Sequence, residues 1–184
     1  TIAYDLVPKL RAFLKEKGAA KLYISAADGH PLTTRKRHWW SGFLMRYPWA
    51  GFITEMIRNG NEVNYVLANA DEADEKALSD FKSKIEKGQK GKLNICLAST
   101  ERVDNGDREL ARYFQTSHVV LVEADNERVM WIEGYHPIKS TVAYACEFLS
   151  PDRARKDARY ESYKEALLRL LNKYCLPSVE ARTS

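Results

Sequence analysis

The chain has 184 residues, of which 45% are hydrophobic and 29% charged, and its formal net charge is +4. This length and composition predict one globular domain with a core of ordinary size, and they exclude a disordered chain or a small disulfide scaffold. The mild positive charge is compatible with nucleic acid binding but does not require it.

Helices and strands are predicted to alternate along most of the chain. In chain order they are a helix at 3–17, a strand at 21–26, an aromatic helix at 38–60 that Pro48 kinks or divides, a strand at 62–69, a charged helix at 70–88, a strand at 92–99, a short helix at 107–115, two strands within 116–137 and a last helix at 152–174. The alternation predicts an α/β fold with a mixed, mostly parallel sheet and helices on both faces. The tight turn at 125–127 adds an antiparallel hairpin.

We predict that residues 1–184 form a single α/β domain. Residues 1–20 form an N-terminal helix, 21–150 the sheet and its crossover helices, and 151–175 a closing helix. No apolar run reaches the roughly 18 residues of a membrane span, and the amphipathic start has no signal-peptide pattern. The three widely spaced cysteines predict reduced core residues in a cytoplasmic protein.

Several common motifs are absent from the sequence. There is no G-x-G-x-x-G, no G-x-x-x-x-G-K-[ST], no paired C-x-x-C and no H-E-x-x-H. These absences argue against a nucleotide cradle and against a structural zinc site. We therefore predict no cofactor and no metal ligands.

The segment TSHVVLVEADNERVMWIEGYHP, residues 116–137, carries the most informative pattern. His118 is followed seven residues later by Asp125, and this spacing resembles the H-x-K-x-x-x-x-D signature of the phospholipase D superfamily. The lysine position holds Val120. The next strand ends at Gly134, where the family has a Gly-Ser-x-Asn corner, and Glu147 occupies the place of a later buried acid. The likeness covers most of residues 20–175 and implies one half of a phospholipase D fold.

The resemblance implies a definite chemistry. In the superfamily, a histidine attacks a phosphodiester, lysines hold the phosphate oxygens, and the aspartate orients a histidine. Val120 offers no positive charge for that task. His118, Asp125 and Glu147 are therefore expected to form a vestigial or altered catalytic site, and the protein is expected not to be an enzyme.

Each of these residues also has a structural explanation. His118 is either a strand-end histidine bonded to a neighbour or a surviving site residue near His136 and Lys139. Asp125 alternatively makes only the turn, and Lys139 alternatively is a solvated loop charge. Glu147 is expected to be partly buried and paired with a nearby cation or histidine, which would raise the pKa of that histidine above its ordinary value.

A basic and aromatic segment precedes the second predicted helix. Arg35, Lys36 and Arg37, followed by His38 and Trp39, suit phosphate contacts combined with base stacking. Alternatively, the segment is a helix start whose tryptophan packs in the core while the basic side chains face water.

The sequence therefore predicts a non-catalytic binding or regulatory module for nucleic acid or a phosphorylated ligand. Because superfamily sites need two motifs and this chain has one, the resemblance implies a homodimer. The alternatives are an active phosphodiesterase or nuclease with a relocated cation, such as Lys139, and a structural subunit that docks a protein partner through residues 39–52.

Overall fold

The computed structural model describes residues 2–26, 39–69, 72–135 and 143–176. Within these ranges the helices are α1 (Ile2–Leu14), α2 (Trp39–Arg58), α3 (Glu72–Glu86), α4 (Arg108–Thr116), α5 (Pro151–Lys156) and α6 (Ala158–Tyr174), and a 3₁₀ turn covers Asn105–Asp107. The strands are β1 (Lys21–Ala26), β2 (Glu62–Leu67), β3 (Lys92–Leu97), β4 (Ser117–Ala124), β5 (Glu127–Tyr135) and β6 (Ala143–Leu149).

One six-stranded sheet has the order β3-β2-β1-β4-β5-β6. β1, β2 and β3 are parallel, whereas β4, β5 and β6 each pair antiparallel with the strand before them in the sheet. The predicted α/β class with a mixed sheet is confirmed. The expectation of a mostly parallel sheet holds only for the first three strands, because connections that are too short for a crossover helix reverse the chain after β4 and β5.

The buried apolar side chains form two clusters. Alternate residues of a strand point to opposite faces, and β4 shows this directly: Val120 and Val122 belong to one cluster, Val119 and Leu121 to the other. The first cluster also contains side chains of α1, α2 and α3, and the second contains side chains of α4, α5 and α6. This is the division expected when each face of a sheet carries its own helices.

Two predicted helices differ from the structure. α2 runs unbroken from Trp39 to Arg58, so Pro48 does not divide it, because the apolar packing of Trp49, Phe52 and Ile53 offsets one missing N–H donor. The closing helix is instead interrupted at Asp157, whose backbone is extended and whose carboxylate accepts the N–H of Arg159 at 2.9 Å. Asp157 thereby starts α6 as its N-cap.

The cysteine prediction is wrong for two of the three thiols. All three are free, but only Cys96 is buried, whereas Cys146 and Cys175 are exposed. The apolar run around Cys146 is an edge strand, and Cys175 follows the last turn of α6. Of the helices in the described ranges, none combines the length and apolar character needed to cross a bilayer.

Candidate functional site at the carboxyl edge of the sheet

One edge of the sheet, here called the carboxyl edge, collects the ends of all six strands. The parallel strands finish there, β4 and β6 begin there, and β5 ends there, as the registers require. The strand residues at this edge are Ala26, Leu67, Leu97, Ser117, Tyr135 and Ala143. In open α/β sheets, ligands bind outside the carboxyl ends of the parallel strands, where the connections diverge. In this sheet the connections diverge between β1 and β4.

His118 is the second residue of β4 and lies at this edge. Ser25 of β1 fastens the start of β4, because its hydroxyl accepts the N–H of Val119 at 2.9 Å and donates to the carbonyl of Ser117 at 3.2 Å. These two bonds flank His118 and set its position. The side chain points to the same face as Val120, and the residue is only 7% exposed.

The imidazole of His118 is neutral at pH 7. Its Nδ1 lies 3.9 Å from Oε2 of Glu133, which is too far for a hydrogen bond. Its Nε2 is buried and has no hydrogen-bond partner among the described residues. Burial lowers the pKa of His118 to about 4, because the protein interior disfavours the charged ring. The expected rise in the pKa of this histidine is therefore wrong.

Glu147 lies on the opposite face of the sheet from His118. The register places His118 opposite Glu133 and Glu133 opposite Cys146, so these three side chains share one face. Glu147 is one residue further along β6 and therefore points the other way. The prediction that His118 and Glu147 meet at one site is wrong.

The partners of Glu147 come from the helices that follow β6. Its carboxylate pairs with Arg153 at 2.8 Å and with Arg159 at 3.1 Å. The expectation that Glu147 is partly buried and paired holds, but the cations are arginines of α5 and α6. Arg159 also pairs with Asp157 at 2.7 Å, so two acids offset the charge of these two arginines.

Asp125 makes the turn between β4 and β5. Its φ is 50° and that of Asn126 is 63°, which is the left-handed pair typical of a two-residue hairpin turn. The carboxylate also accepts the N–H of Gly18 at 3.1 Å. Asp125 follows His118 by seven positions of extended chain, a span of about 23 Å. The two matched motif residues therefore do not meet within one chain, and the turn role of Asp125 is confirmed.

Val120 is fully buried in the first apolar cluster. It stands where the resemblance places a phosphate-binding lysine, and apolar side chains surround it. The motif position therefore belongs to the core in this protein.

Most of the remaining predicted binding residues lie in parts of the chain that the structure does not describe. Arg35, Lys36, Arg37, His136 and Lys139 lie outside the described residues. Trp39 is the first residue of α2, and its side chain is likewise not described. In sequence, His136 and Lys139 come between the end of β5 and the start of β6, which lie at the carboxyl edge, and the three basic residues follow the end of β1, which lies at the same edge.

One buried acid that the sequence did not predict, Asp107, lies at the start of α4. Its carboxylate accepts hydrogen bonds from Lys173 at 2.8 Å, Tyr174 at 2.8 Å and Arg169 at 2.6 Å. These donors lower its pKa to about 2. The available signal was the spacing of Arg169 and Lys173, which puts two cations on one face of α6. This cluster fastens α6 to the chain after β3, so its role is structural.

Neither a metal centre nor a relative identifies the site. No group of three or more His, Cys, Asp or Glu side chains in the described part of the chain is arranged to hold a metal ion. Comparison with protein-family models, curated proteins and solved structures gives no match. The resemblance to the phospholipase D superfamily stays a prediction.

Proposed function

We propose that this protein is a degenerate phospholipase-D-like binding or regulatory module that holds nucleic acid or a phosphorylated ligand at the carboxyl edge, beside His118. The observation that carries the proposal is the buried imidazole whose Nε2 has no partner among the described residues. Leaving a buried polar atom unpaired costs about 1–3 kcal/mol, and such an atom in a folded protein calls for an explanation. A ligand oxygen beside Nε2 would supply the missing bond.

Recognition of phosphate needs positive charge that His118 does not provide at neutral pH. A neutral imidazole offers one donor and one acceptor, so its contribution would be a directed hydrogen bond. The charge would come from Arg35, Lys36, Arg37 and Lys139, whose segments are joined to the carboxyl edge. Basic side chains next to tryptophan are the combination that binds single-stranded nucleic acid.

The burial of Val120 supports a binding role over catalysis. Loss of a fixed cation at a developing negative charge usually costs orders of magnitude in rate. One observation favours the alternative of an active phosphodiesterase or nuclease: a neutral imidazole is the form that can attack phosphorus. We expect no metal-free cleavage of single-stranded DNA, RNA or bis-p-nitrophenyl phosphate. Cleavage that His118→Ala abolishes would establish the alternative.

The binding test compares two triple variants that remove the same charge. In one, Arg35, Lys36 and Arg37 are changed to Ala. In the other, three exposed lysines at the opposite edge of the sheet are changed to Ala, namely Lys84, Lys87 and Lys90. Affinity for a fluorescent single-stranded DNA is measured by anisotropy over a range of salt concentrations.

The first variant should bind more weakly, and the slope of log K against log salt should flatten by roughly 0.7 for each lost phosphate contact. In the control variant, the affinity and the salt slope should both stay the same apart from a small general effect of net charge. An equal loss of DNA affinity in both variants would mean that the protein attracts DNA nonspecifically through its net charge. No binding by the unmodified protein to DNA, RNA or inorganic phosphate would refute the proposal.

A further inference from the structure

Cys175 and Leu176, which follow α6, lie along the outer edge of β3. Cys175 stands directly opposite Cys96 in an isolated antiparallel bridge. The N–H of Leu176 donates to the carbonyl of Ile95 at 2.7 Å. Because this bond joins the residue after one cysteine to the residue before the other, the two cysteines form a non-hydrogen-bonded pair.

This position brings the two thiols within bonding reach. In a non-hydrogen-bonded antiparallel pair the Cα atoms are about 4.5 Å apart and the side chains leave the same face. Disulfides accept Cα separations of roughly 4.4–6.8 Å. We propose that Cys96 and Cys175 are a redox modification site, at which a small-molecule disulfide such as oxidised glutathione forms a reversible Cys96–Cys175 bond.

The surroundings of the two thiols set the order of reaction. Cys96 is fully buried and its Sγ lies 3.4 Å from the carbonyl oxygen of Leu170, so an external disulfide cannot reach it. Cys175 is exposed and meets the oxidant first. Burial raises the pKa of both thiols, and Lys82 partly opposes the rise in the pKa of Cys175. Because thiolates are the attacking species, the reaction is slow at neutral pH and faster in alkaline buffer.

The proposed reaction is a double thiol–disulfide exchange. Cys175, as thiolate, attacks one sulfur of the oxidant; its S–S bond breaks, a mixed disulfide forms, and one small thiol leaves after taking up a proton. Cys96 then loses its proton and attacks the Cys175 sulfur, and the second small thiol leaves. The two protein thiols are oxidised to one disulfide, and the oxidant is reduced to two thiols.

The bond would fasten the C-terminal segment to the sheet. Without it, Cys175 and Leu176 are held by the bridge, by the Leu176 hydrogen bond and by the packing of Leu176 against the first apolar cluster. The crosslink would close a loop that contains α4, α5, α6 and the strands β4, β5 and β6. Constraining the unfolded chain in this way stabilises the fold.

The first experiment incubates the full chain with oxidised glutathione and counts thiols under denaturing conditions. The reduced protein has three; after oxidation only the thiol of Cys146 should remain, with a mass lower by two hydrogens and a Cys96–Cys175 crosslinked peptide after digestion. Dithiothreitol should restore all three. A glutathione adduct that persists on Cys175, or a crosslink through Cys146, would overturn the proposal.

Variants separate the crosslink from general oxidation. Cys146→Ser should form the bond as the unmodified protein does. Cys175→Ser, which leaves the core intact, should keep Cys96 reduced and unlabelled in the folded state. The oxidised protein should also unfold at a higher temperature than the reduced protein, whereas Cys175→Ser should show no such difference. A higher unfolding temperature in both would assign the effect to something other than this bond.

Discussion

The ring of His118 sits inside the protein without a charge, and this makes the stability of the fold depend on pH. The folded-state pKa is about 4, below the ordinary value of 6.5, so the unfolded chain binds more protons between these two values. The stabilisation from keeping His118 neutral is therefore complete above pH 6.5 and is lost as the pH falls through the pKa of the folded state. The full pKa shift of His118 corresponds to roughly 3 kcal/mol in the free energy of unfolding.

We expect urea denaturation to show a free energy of unfolding that falls between pH 6.5 and pH 4. His118→Leu should remove most of this slope, because the variant has no ring to protonate. Titration of the ring protons by NMR gives an independent measurement. A His118 signal that titrates near 6.5, or an unchanged slope in the variant, would contradict the burial seen here.

Val120 offers a second test at the residue scale. Changing Val120→Lys restores the family signature in sequence but puts an ammonium group into the first apolar cluster. Burying an unpaired charge is far more costly than burying a methyl group. We expect a large fall in the denaturation midpoint and no phosphodiesterase activity, with Val120→Ile as the volume control near the unmodified stability. A stable Val120→Lys protein would mean that this position opens toward a polar site.

The sequence predicts some residue roles and misses others for a physical reason. The His118 spacing and the Asp125 turn depend on neighbours along the chain and were accessible. The environment of His118 is set by Ser25 and Glu133, which come from other strands. The misplacement of Glu147 has the same origin, since the face that a strand residue occupies depends on register.

At the scale of elements, Gly91 controls how closely the start of β3 approaches the end of α2. A Cβ atom at this position would lie 2.3 Å from the carbonyl oxygen of Ile57 and 2.7 Å from that of Asn61. Backbone atoms cannot move aside as a flexible side chain can. The Gly91 N–H also donates to the carbonyl of Ile57 at 3.2 Å, which fixes this approach.

Gly91→Ala should therefore destabilise the protein by about 1–3 kcal/mol, as overpacking usually does. Gly51, within α2, is the matched control because a Cβ there would meet nothing within 4 Å. Gly51→Ala should stabilise by roughly 0.5–1 kcal/mol, since alanine favours a helix. The change in the free energy of unfolding caused by each substitution is measured by urea denaturation. Equal effects of the two substitutions would show that the close approach at Gly91 is not tight.

The elements themselves and the antiparallel β4–β5 hairpin were largely predictable, whereas the antiparallel pairings of β4 with β1 and of β6 with β5 were not. The runs KLYISA, EVNYVL and KLNICL are short, mostly apolar stretches between helical segments, which indicates buried parallel strands. β6 lacks such a frame, because only seven residues separate it from β5. β6 pairs antiparallel with β5 because that strand still has an unpaired edge, and no local sequence pattern encodes which strand edge remains unpaired.

At the scale of the whole molecule, the resemblance implies a homodimer. The chain has a mass of 21.1 kDa, so light scattering at micromolar concentration should give about twice that mass. Superfamily sites combine two motifs, which one copy of this chain cannot supply. A monomer at all concentrations would remove the pairing from the proposal, while the binding test at the carboxyl edge would still stand.

The candidate site was predictable in part. Its position follows from the α/β topology, which gathers strand ends at one edge, and His118 was singled out because its spacing to Asp125 resembles the superfamily signature. The neutral state of the ring and the core role of Val120 depend on packing between strands distant in the sequence. These features become visible only when the sheet is assembled.

The pairing of β1 with β4 has a consequence for how the chain folds. Ile24 pairs with Val120, so the middle of the sheet joins segments nearly a hundred residues apart, whereas β4, β5 and β6 pair with near neighbours in sequence. Contacts between distant segments close slowly because the loop entropy must be overcome first. During synthesis, β1 is made long before its partner, and its inner edge stays open until residue 124 has emerged. We expect the β4–β6 meander to gain amide protection before the β1–β4 seam in pulse-labelled hydrogen exchange, and that seam to set the refolding rate.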